Sequence, residues 1–247
     1  MIARLAELTW EQAAEAARAG AIALVPVGAT EAHGPHLPLA TDVILSEELA
    51  RRAGEALAAK GRASVIAPSF AYAVTEYAAP FGGTVSISVE TATALVTDVC
   101  LGLQRQGFSV CLVNSHLEPA HVATLRAACA RVVERGGRPV AFPDNTERRW
   151  ARTLTDEFKR GACHAGRYET SLLLAARPDL VGASRATLPP VEIDLARAMR
   201  GGVKDFVEAG AARAYFGDPA SATVEEGDAV YALLVAMVLA TVDETLG

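Results

Sequence analysis

The stretch "AIALVPVGATEAHGPHLPLATD", residues 21–42, decides how the rest of the chain is interpreted. Its apolar run at 21–28 predicts a buried strand, and a polar loop with Gly and Pro follows. From residue 42 to residue 61, apolar side chains recur at helical spacing and a glycine closes the segment. A buried strand, a loop and a long helix in this order are typical of one unit of an α/β protein with a parallel sheet.

The same alternation continues towards the C-terminus. The N-terminal residues 1–16 lack the pattern of a signal peptide and predict an amphipathic helix instead. Because strands alternate with helices of ten or more residues, the sequence predicts one α/β domain over residues 1–247 with a mostly parallel sheet and helices on both faces. The further predicted strands are 64–70, 84–89, 109–115 and 138–142, and the further predicted helices are 91–107, 118–137, 166–177 and 224–245.

Composition narrows the class of protein. The 247 residues are 51% hydrophobic and 21% charged, which is enough to bury a sizeable core. A net charge of -6 and the lack of a Lys/Arg cluster argue against a nucleic-acid partner. The longest apolar runs are about eight residues, well short of the roughly 20 that a membrane helix needs. Widely spaced Cys100, Cys111, Cys129 and Cys163 indicate neither a disulfide framework nor a thiolate zinc site, so we expect a cytoplasmic protein.

Polar side chains collect directly after the first long strand. Glu31 and His33 are two residues apart, so in an extended segment both can point at one centre. Asp42 lies where the next helix begins. Taken alone, Asp42 is better interpreted as a helix N-cap or a first-turn acid, and a single loop histidine is no evidence for a ligand.

A second pair changes this interpretation. His116 and Glu118 repeat the same spacing directly after the strand predicted at 109–115. Because ligands of parallel sheets bind beyond the carboxyl ends of the strands, the two pairs meet if their strands are neighbours. Together with Asp42 they provide three carboxylates and two imidazoles, a set that suits two divalent ions such as Zn²⁺ or Mn²⁺ with an aspartate bridging them.

A third cluster is "GACHAGRYETS", residues 161–171. His164 precedes a predicted helix, and Glu169 follows five residues later. Without the other clusters, a surface or capping histidine and a charge on the helix surface would be the better interpretations.

Four segments resemble the creatininase family of metal-dependent amidohydrolases. "VGATEAHGPHLPLATD" is similar to the signature P-V-G-[ST]-x-E-x-H-G-x-H-L-P-x-x-[TS]-D of that family. The others, "PFGGTVSIS", "VNSHLEP" and "CHAGRYETSLLLAARPDLV", resemble its F-P-G-T-x-S, V-N-G-H-x-[EG]-N and H-[AG]-G-x-x-E-T-S segments. The matches occur in family order over roughly residues 20–182, and on them the chain is identified as a member of the family.

The resemblance implies a three-layer αβα sandwich with two divalent metal ions per chain, Zn²⁺ first and Mn²⁺ or Fe²⁺ as alternatives. By position, Glu31, Asp42 and His116 would bind one ion, while His33, Glu118 and a bridging Asp42 would bind the other. The catalytic or substrate-contacting histidine would be His164, with Glu169 as a supporting acid. His36 matches a signature histidine with a structural hydrogen-bonding role. The family resemblance also implies a homo-oligomer, a hexamer.

The implied chemistry is hydrolysis of a C–N bond in a small cyclic amide, lactam or formamide. Two ions sharing a water make it a nucleophile near neutral pH and polarise the carbonyl. We expect His164 to protonate the leaving nitrogen, because an imidazole titrates in that pH range. Another cyclic carbonyl compound or a small peptide is the alternative substrate.

Departures from the family pattern bear on the substrate. Arg160 and Gly161 stand where creatininase is expected to have a Trp-Asp pair, which argues against creatinine. Glu118 distinguishes this chain from branches with H-G-G-N, which include formamide deformylases and the mycofactocin-pathway peptidase. Arg160, Arg167 and Tyr168 would favour an anionic substrate if they lie at the site, although solvated surface arginines are an equal alternative.

Three other functions remain to be separated. A dinucleotide-binding protein would share the scaffold, but no G-x-G-x-x-G follows a strand. A cysteine hydrolase would use Cys163 with His164, although adjacent side chains rarely face each other and a buried small-residue role for Cys163 is favoured. A metal-stabilised binding protein without turnover is the third.

Overall fold

The computed structural model describes residues 2–161 and 164–247. Cys163, the alternative nucleophile, lies outside the described residues. Four strands form one sheet in the order β1-β3-β2-β4, and every neighbouring pair is parallel. The strands are β1 (Ala3–Arg4), β2 (Ile22–Val27), β3 (Ser64–Ile66) and β4 (Ser109–Asn114). The predicted parallel sheet is therefore confirmed.

Helices connect these strands and form the outer layers. Short 3-10 helices lie at Leu5–Glu7, Pro178–Leu180, Ala183–Thr187 and Pro219–Ser221. The α-helices are α1 (Trp10–Arg18), α2 (Thr41–Ala59), α3 (Val89–Arg105), α4 (Pro119–Glu134), α5 (Arg148–Ala151), α6 (Asp156–Lys159), α7 (Arg167–Ala176), α8 (Leu195–Arg200) and α9 (Val224–Leu246).

Alternate side chains of the central strands enter two separate cores. Leu24 packs in a cluster with residues of α2, α7 and α9, whereas Val25 packs in a cluster with residues of α3 and α4. Both side chains are fully buried, as expected for a parallel strand that is covered on both faces. Helices on the two faces of one parallel sheet make the three-layer αβα sandwich that was predicted.

Two predicted strands do not belong to the sheet. Residues 84–89 make one isolated bridge, between Ala73 and Ser86, because the segment soon becomes α3 with Ser88 as its N-cap. Residues 138–142 pair with β4 only through Ala141. Proline at 139 and at 143 lacks the N–H that a longer ladder needs, which explains the short pairing.

The N-terminal prediction was wrong in part. Residues 1–16 do not form one helix, since β1 adds a parallel edge strand to β3 before α1 begins. Thr9 and Gln12 form a capping box that fixes where α1 starts. The strand predicted at 64–70 ends at Ile66, and Phe70 makes a single bridge to the end of β2.

One described helix, α9, is long and apolar enough to cross a membrane by length and composition alone. This is weak evidence, because a core helix of a soluble protein passes the same test. In this fold α9 packs against α7 and α2.

Candidate metal centre

Two neighbouring strands bring the first two sequence clusters together. β2 and β4 pair from Ile22 with Ser109 up to Val27 with Asn114, and the Ser115 N–H continues this pairing by donating to the Val27 carbonyl. The loops after both strands therefore start at the same edge of the sheet. The loop after β2 then leads into α2, whose first turn carries Asp42.

Glu31, Asp42 and His116 form the first group of possible ligands. Their ligand atoms lie within 4.8 Å of one another. His116 Nδ1 is 3.3 Å from Glu31 Oε1 and 3.1 Å from Asp42 Oδ2. All three side chains are buried. The structure thus brings together the three residues that the resemblance assigns to one ion.

The second group contains Glu169 instead of Glu118. His33 Nε2 is 3.2 Å from Asp42 Oδ1 and 3.6 Å from Glu169 Oε2, and these three residues also lie within ligand distance of one another. Glu169 is in the first turn of α7, and its Oε2 accepts a hydrogen bond from the Ala165 N–H at 2.6 Å. Asp42 belongs to both groups and offers a different oxygen to each imidazole.

Glu118 lies beside the groups and not within them. Its two carboxylate oxygens accept hydrogen bonds of 3.2 Å from the N–H groups of Glu76 and Tyr77. Burial raises the pKa of Glu118, although His116 and the two backbone donors act in the opposite direction. Among the described residues, no possible metal-binding group includes Glu118.

His164 lies at the edge of the cluster. Its Nδ1 is 3.6 Å from Glu31 Oε1, and with Glu31 and His33 it forms a third possible metal-binding group. The ring stands 4.4 Å from that of His33 and 4.4 Å from that of Phe206, measured between ring centroids. Burial lowers the pKa of His164 to about 4, and the charge of His33 adds to this effect.

The three imidazoles share one hydrogen-bonding arrangement. His33 Nδ1 contacts the Glu31 carbonyl at 3.2 Å, His116 Nε2 contacts the Val74 carbonyl at 2.9 Å, and His164 Nε2 contacts the Ala32 carbonyl at 2.9 Å. Because a carbonyl only accepts, each of these nitrogens carries the proton. The other nitrogen of each ring faces the carboxylates, and in a neutral ring it bears the lone pair that a metal ion requires.

The acids of the cluster are buried without a permanent cationic partner. No lysine or arginine within residues 2–161 or 164–247 forms an ion pair with Glu31, Asp42 or Glu169. His33 Nε2 and Asp42 Oδ2 are buried without a hydrogen-bond partner. Since uncompensated charges are costly to bury, the donor set fits divalent cations.

The pKa values of the buried histidines and acids also indicate that this cluster favours bound positive charge. Burial alone would lower the pKa of His33, but Asp42, Glu169 and Glu31 outweigh it and raise that pKa to about 10. Burial alone would raise the pKa of Glu31, but the neighbouring His116 lowers it to about 2. By contrast, burial raises the pKa of Glu169 to about 8, against the effect of His33.

Several supporting residues were not predicted from the sequence. The Thr75 hydroxyl donates to Glu31 Oε2. The Asn114 side chain clamps the backbone of His116, with its amide donating to the His116 carbonyl at 2.7 Å and its oxygen accepting from the His116 N–H at 3.2 Å. His121 Nε2 donates to the same Asn114 oxygen at 3.0 Å. Asn114 and His121 could have been suspected from the polar residues of "VNSHLEPAH", residues 113–121. Thr75 lies in an irregular segment that has no such pattern.

The remaining sequence candidates lie away from the cluster. His36 Nε2 hydrogen-bonds to the Thr170 hydroxyl at 3.0 Å, in agreement with a structural role. Arg160 and Arg167 line a separate depression, and Arg167 pairs with Glu226. Tyr168 is buried. Of the two alternatives for Arg160 and Arg167, surface arginines fit this arrangement better, since neither residue lines the cavity at the cluster.

A cavity of about 460 Å³ opens onto the cluster. Glu31, Asp42, His116, Glu118, His164 and Glu169 contribute to its lining. The remaining lining comes largely from apolar side chains and includes Arg200. A volume of this size is typical of small-molecule sites, which range from about 300 to 1,000 Å³.

The comparisons with known proteins agree with this fold. The family model for creatinine amidohydrolase matches residues 6–242, and the chain belongs to this creatininase family. It is therefore a creatininase-family hydrolase, a family that implies metal-dependent amide hydrolysis. Among solved structures, one named Creatininase Mn has a TM-score of 0.73 and 23% identity over 100% of both chains.

Curated relatives include two kinds of enzyme. The mycofactocin precursor peptide peptidase of Mycolicibacterium smegmatis is 33% identical over 86% of this chain and 80% of its own length. The creatinine amidohydrolase of Pseudomonas putida is 28% identical over 76% of this chain and 79% of its own. The distinction from the peptidase that was expected from Glu118 stays a prediction, because identity over the whole chain does not test that residue. The hexamer also stays a prediction.

Proposed function

We propose that this chain is a two-metal amide hydrolase that cleaves the C–N bond of a peptide-type substrate. One observation carries the proposal: buried carboxylates and imidazole nitrogens converge at one end of a cavity, and the described part of the chain offers them no lysine or arginine partner. Membership of a family that implies metal-dependent amide hydrolysis supports it.

We assign the ligands from the distances. Glu31, Asp42 and His116 would hold one ion, and His33, Asp42 and Glu169 would hold the other. Asp42 would bridge, because its Oδ2 faces His116 and its Oδ1 faces His33. This assignment places Glu169 where the resemblance placed Glu118. Carboxylate oxygens with imidazole nitrogens suit Zn²⁺, Mn²⁺ or Fe²⁺.

Glu118 and His164 are the side chains that would act directly on the substrate and the attacking water. Divalent ions held by the two groups would lower the pKa of a bound water and polarise a substrate carbonyl. Glu118 lines the cavity with a raised pKa, so it can take the proton of the attacking water and pass it to the leaving nitrogen. His164, which was expected to protonate the leaving nitrogen, presents Nδ1 with a lone pair and would instead accept a hydrogen bond from a substrate N–H.

Two observations favour a peptide-type amide over a small ring. The relative at 33% identity is a peptide peptidase, and a cavity of about 460 Å³ has room for more than a single small ring. A cyclic amide is the second candidate, because the creatinine amidohydrolase is 28% identical to this chain.

The test combines metal content with turnover. Protein purified without added metal is analysed by mass spectrometry and assayed against creatinine, lactams, formamides and short peptides. We expect Asp42→Asn to lose metal and activity, His164→Ala to lose activity but keep metal, and the surface control Glu192→Gln to keep both. Fewer than about one ion per chain, with stability unchanged by chelators, would contradict the metal assignment. If the protein holds metal but hydrolyses none of these amides, the result would support a metal-stabilised binding protein and contradict the hydrolase assignment.

A further inference from the structure

Apart from the acids and histidines of the site, the lining of the cavity is mainly apolar. Its large apolar side chains come from four separate parts of the chain, and α8 with the segment after it contributes a large share. Because walls of this kind bury the apolar body of a ligand, this lining is suited to a hydrophobic group. The large apolar lining residues are Tyr77, Leu117, Phe158, Leu195, Met199 and Phe206.

Arg200 is the exception in this wall. It is the last residue of α8, and among the described residues lining the cavity it is the only lysine or arginine. No hydrogen bond or ion pair joins its side chain to another residue of 2–161 or 164–247. The arginine at the start of α7, in contrast, pairs with Glu226. Arg200 therefore contributes a guanidinium without an ion-pair partner to a cavity that carboxylates also line.

The charged side chains that line the cavity would determine how a charged ligand is oriented in it. Glu118 and the three acids of the metal groups line the cavity, and so does Arg200, which forms no ion pair with any of them. A guanidinium is always protonated, and its planar fork matches a carboxylate with two parallel hydrogen bonds. A substrate that carries a carboxylate on an apolar residue would therefore place that group at Arg200 and its amide at the metal cluster.

We propose that Arg200 binds a free carboxylate of the substrate, so that the enzyme selects amides whose apolar end is anionic, as at the C-terminus of a peptide. The proposal rests on the proposed amide hydrolysis, because it assigns a further lining residue of the same cavity. Arg200 is then a specificity-determining residue that acts on binding and orientation, and the proton transfers of Glu118 do not involve it.

The test uses one ligand pair and one control variant. Binding of 3-phenylpropionate and of 3-phenylpropan-1-ol to the zinc-loaded protein is measured by calorimetry for wild type, Arg200→Gln and Arg197→Gln. Arg197 and Arg200 are both exposed arginines of this helix, but only Arg200 lines the cavity. We expect wild type and Arg197→Gln to bind the carboxylate about fivefold more tightly than the alcohol, and Arg200→Gln to lose this preference.

A second measurement separates this proposal from the proposed function. The peptide Ala-Ala-Phe and its C-terminal carboxamide are compared by kcat/KM, and Arg200→Gln is expected to raise KM for the free acid alone. An unchanged carboxylate preference in Arg200→Gln would overturn the role of Arg200, whether or not amides are cleaved. An Arg200-dependent preference without cleavage of any amide would instead overturn the hydrolase assignment and leave carboxylate recognition in place.

Discussion

The choice between Glu169 and Glu118 as a ligand of the second ion gives the sharpest prediction. The two acids line the same cavity, and replacing either by glutamine preserves its size. If Glu169 is the ligand with His33 and Asp42, Glu169→Gln loses one ion per chain and Glu118→Gln retains both. In Glu169→Gln the Ala165 N–H still has an acceptor in the amide oxygen of the introduced side chain, so the metal-free fold is expected to keep its stability.

The magnitude follows from binding linkage. An ion present at about 100 times its dissociation constant stabilises the folded state by about 2.7 kcal/mol. For a chain of 247 residues each kcal/mol corresponds to about 2–4 °C in Tm, so loss of one ion lowers the Tm by about 5–10 °C. In the presence of a chelator, the two variants and wild type should melt within about 2 °C of one another.

The metal-to-protein ratio of each variant is measured by mass spectrometry after gel filtration. The Tm is then measured with and without a chelator. Glu118→Gln should lose turnover while it keeps both ions, because it removes the proton carrier. The opposite result, one ion in Glu118→Gln and two in Glu169→Gln, would refute the distance-based assignment and support the set that the family resemblance implied.

Three further predictions concern the support of the site. Chelation of wild type should lower its Tm by about twice the single-ion amount, as measured by circular dichroism, and no shift would contradict a metal centre. Thr75→Val removes the donor to Glu31 and should weaken zinc affinity about tenfold in a competition titration, while an unchanged affinity would deny Thr75 that role. Gly227→Ala drives a Cβ into the Ser171 carbonyl oxygen and should lower the denaturation midpoint strongly, whereas Gly102→Ala, where only the end of the Arg105 side chain comes near, should raise it slightly. Equal effects of the two glycine variants would contradict the close contact of α9 with α7.

The fold could be predicted largely because its signals are local. Strand and helix periods alternate along the chain, and parallel strands covered on both faces have continuous apolar runs. Residues 84–89 and 138–142 also contain apolar, strand-forming residues, but each pairs through a single bridge. Whether an apolar run joins a sheet depends on its partner strand and on flanking prolines, which a pattern of hydrophobicity does not report.

The site was predictable where it depends on two neighbouring strands. Glu31 and His116 meet because β2 and β4 are adjacent and their C-terminal ends share one edge. The arrangement of Glu118 was not predictable, since the N–H groups that hold it belong to Glu76 and Tyr77 in a segment without periodicity. Nor could the spacing identify Arg200 as a lining residue, because it reaches the cavity through a short helix far along the chain.

The buried carboxylates at the C-terminal edge of the sheet require positive charge to compensate them. Asp42 lies in the first turn of α2, Glu169 in the first turn of α7, and Glu31 in the loop after β2, so three separate segments present negative charge to one buried point. Protons on His33 and His116 can compensate part of this charge, as their raised pKa values show, but each proton occupies the nitrogen that a ligand must offer. Protonation and metal binding therefore compete for the same atoms. If divalent ions bind as proposed, they would replace those protons and give the buried acids and imidazoles their full set of partners.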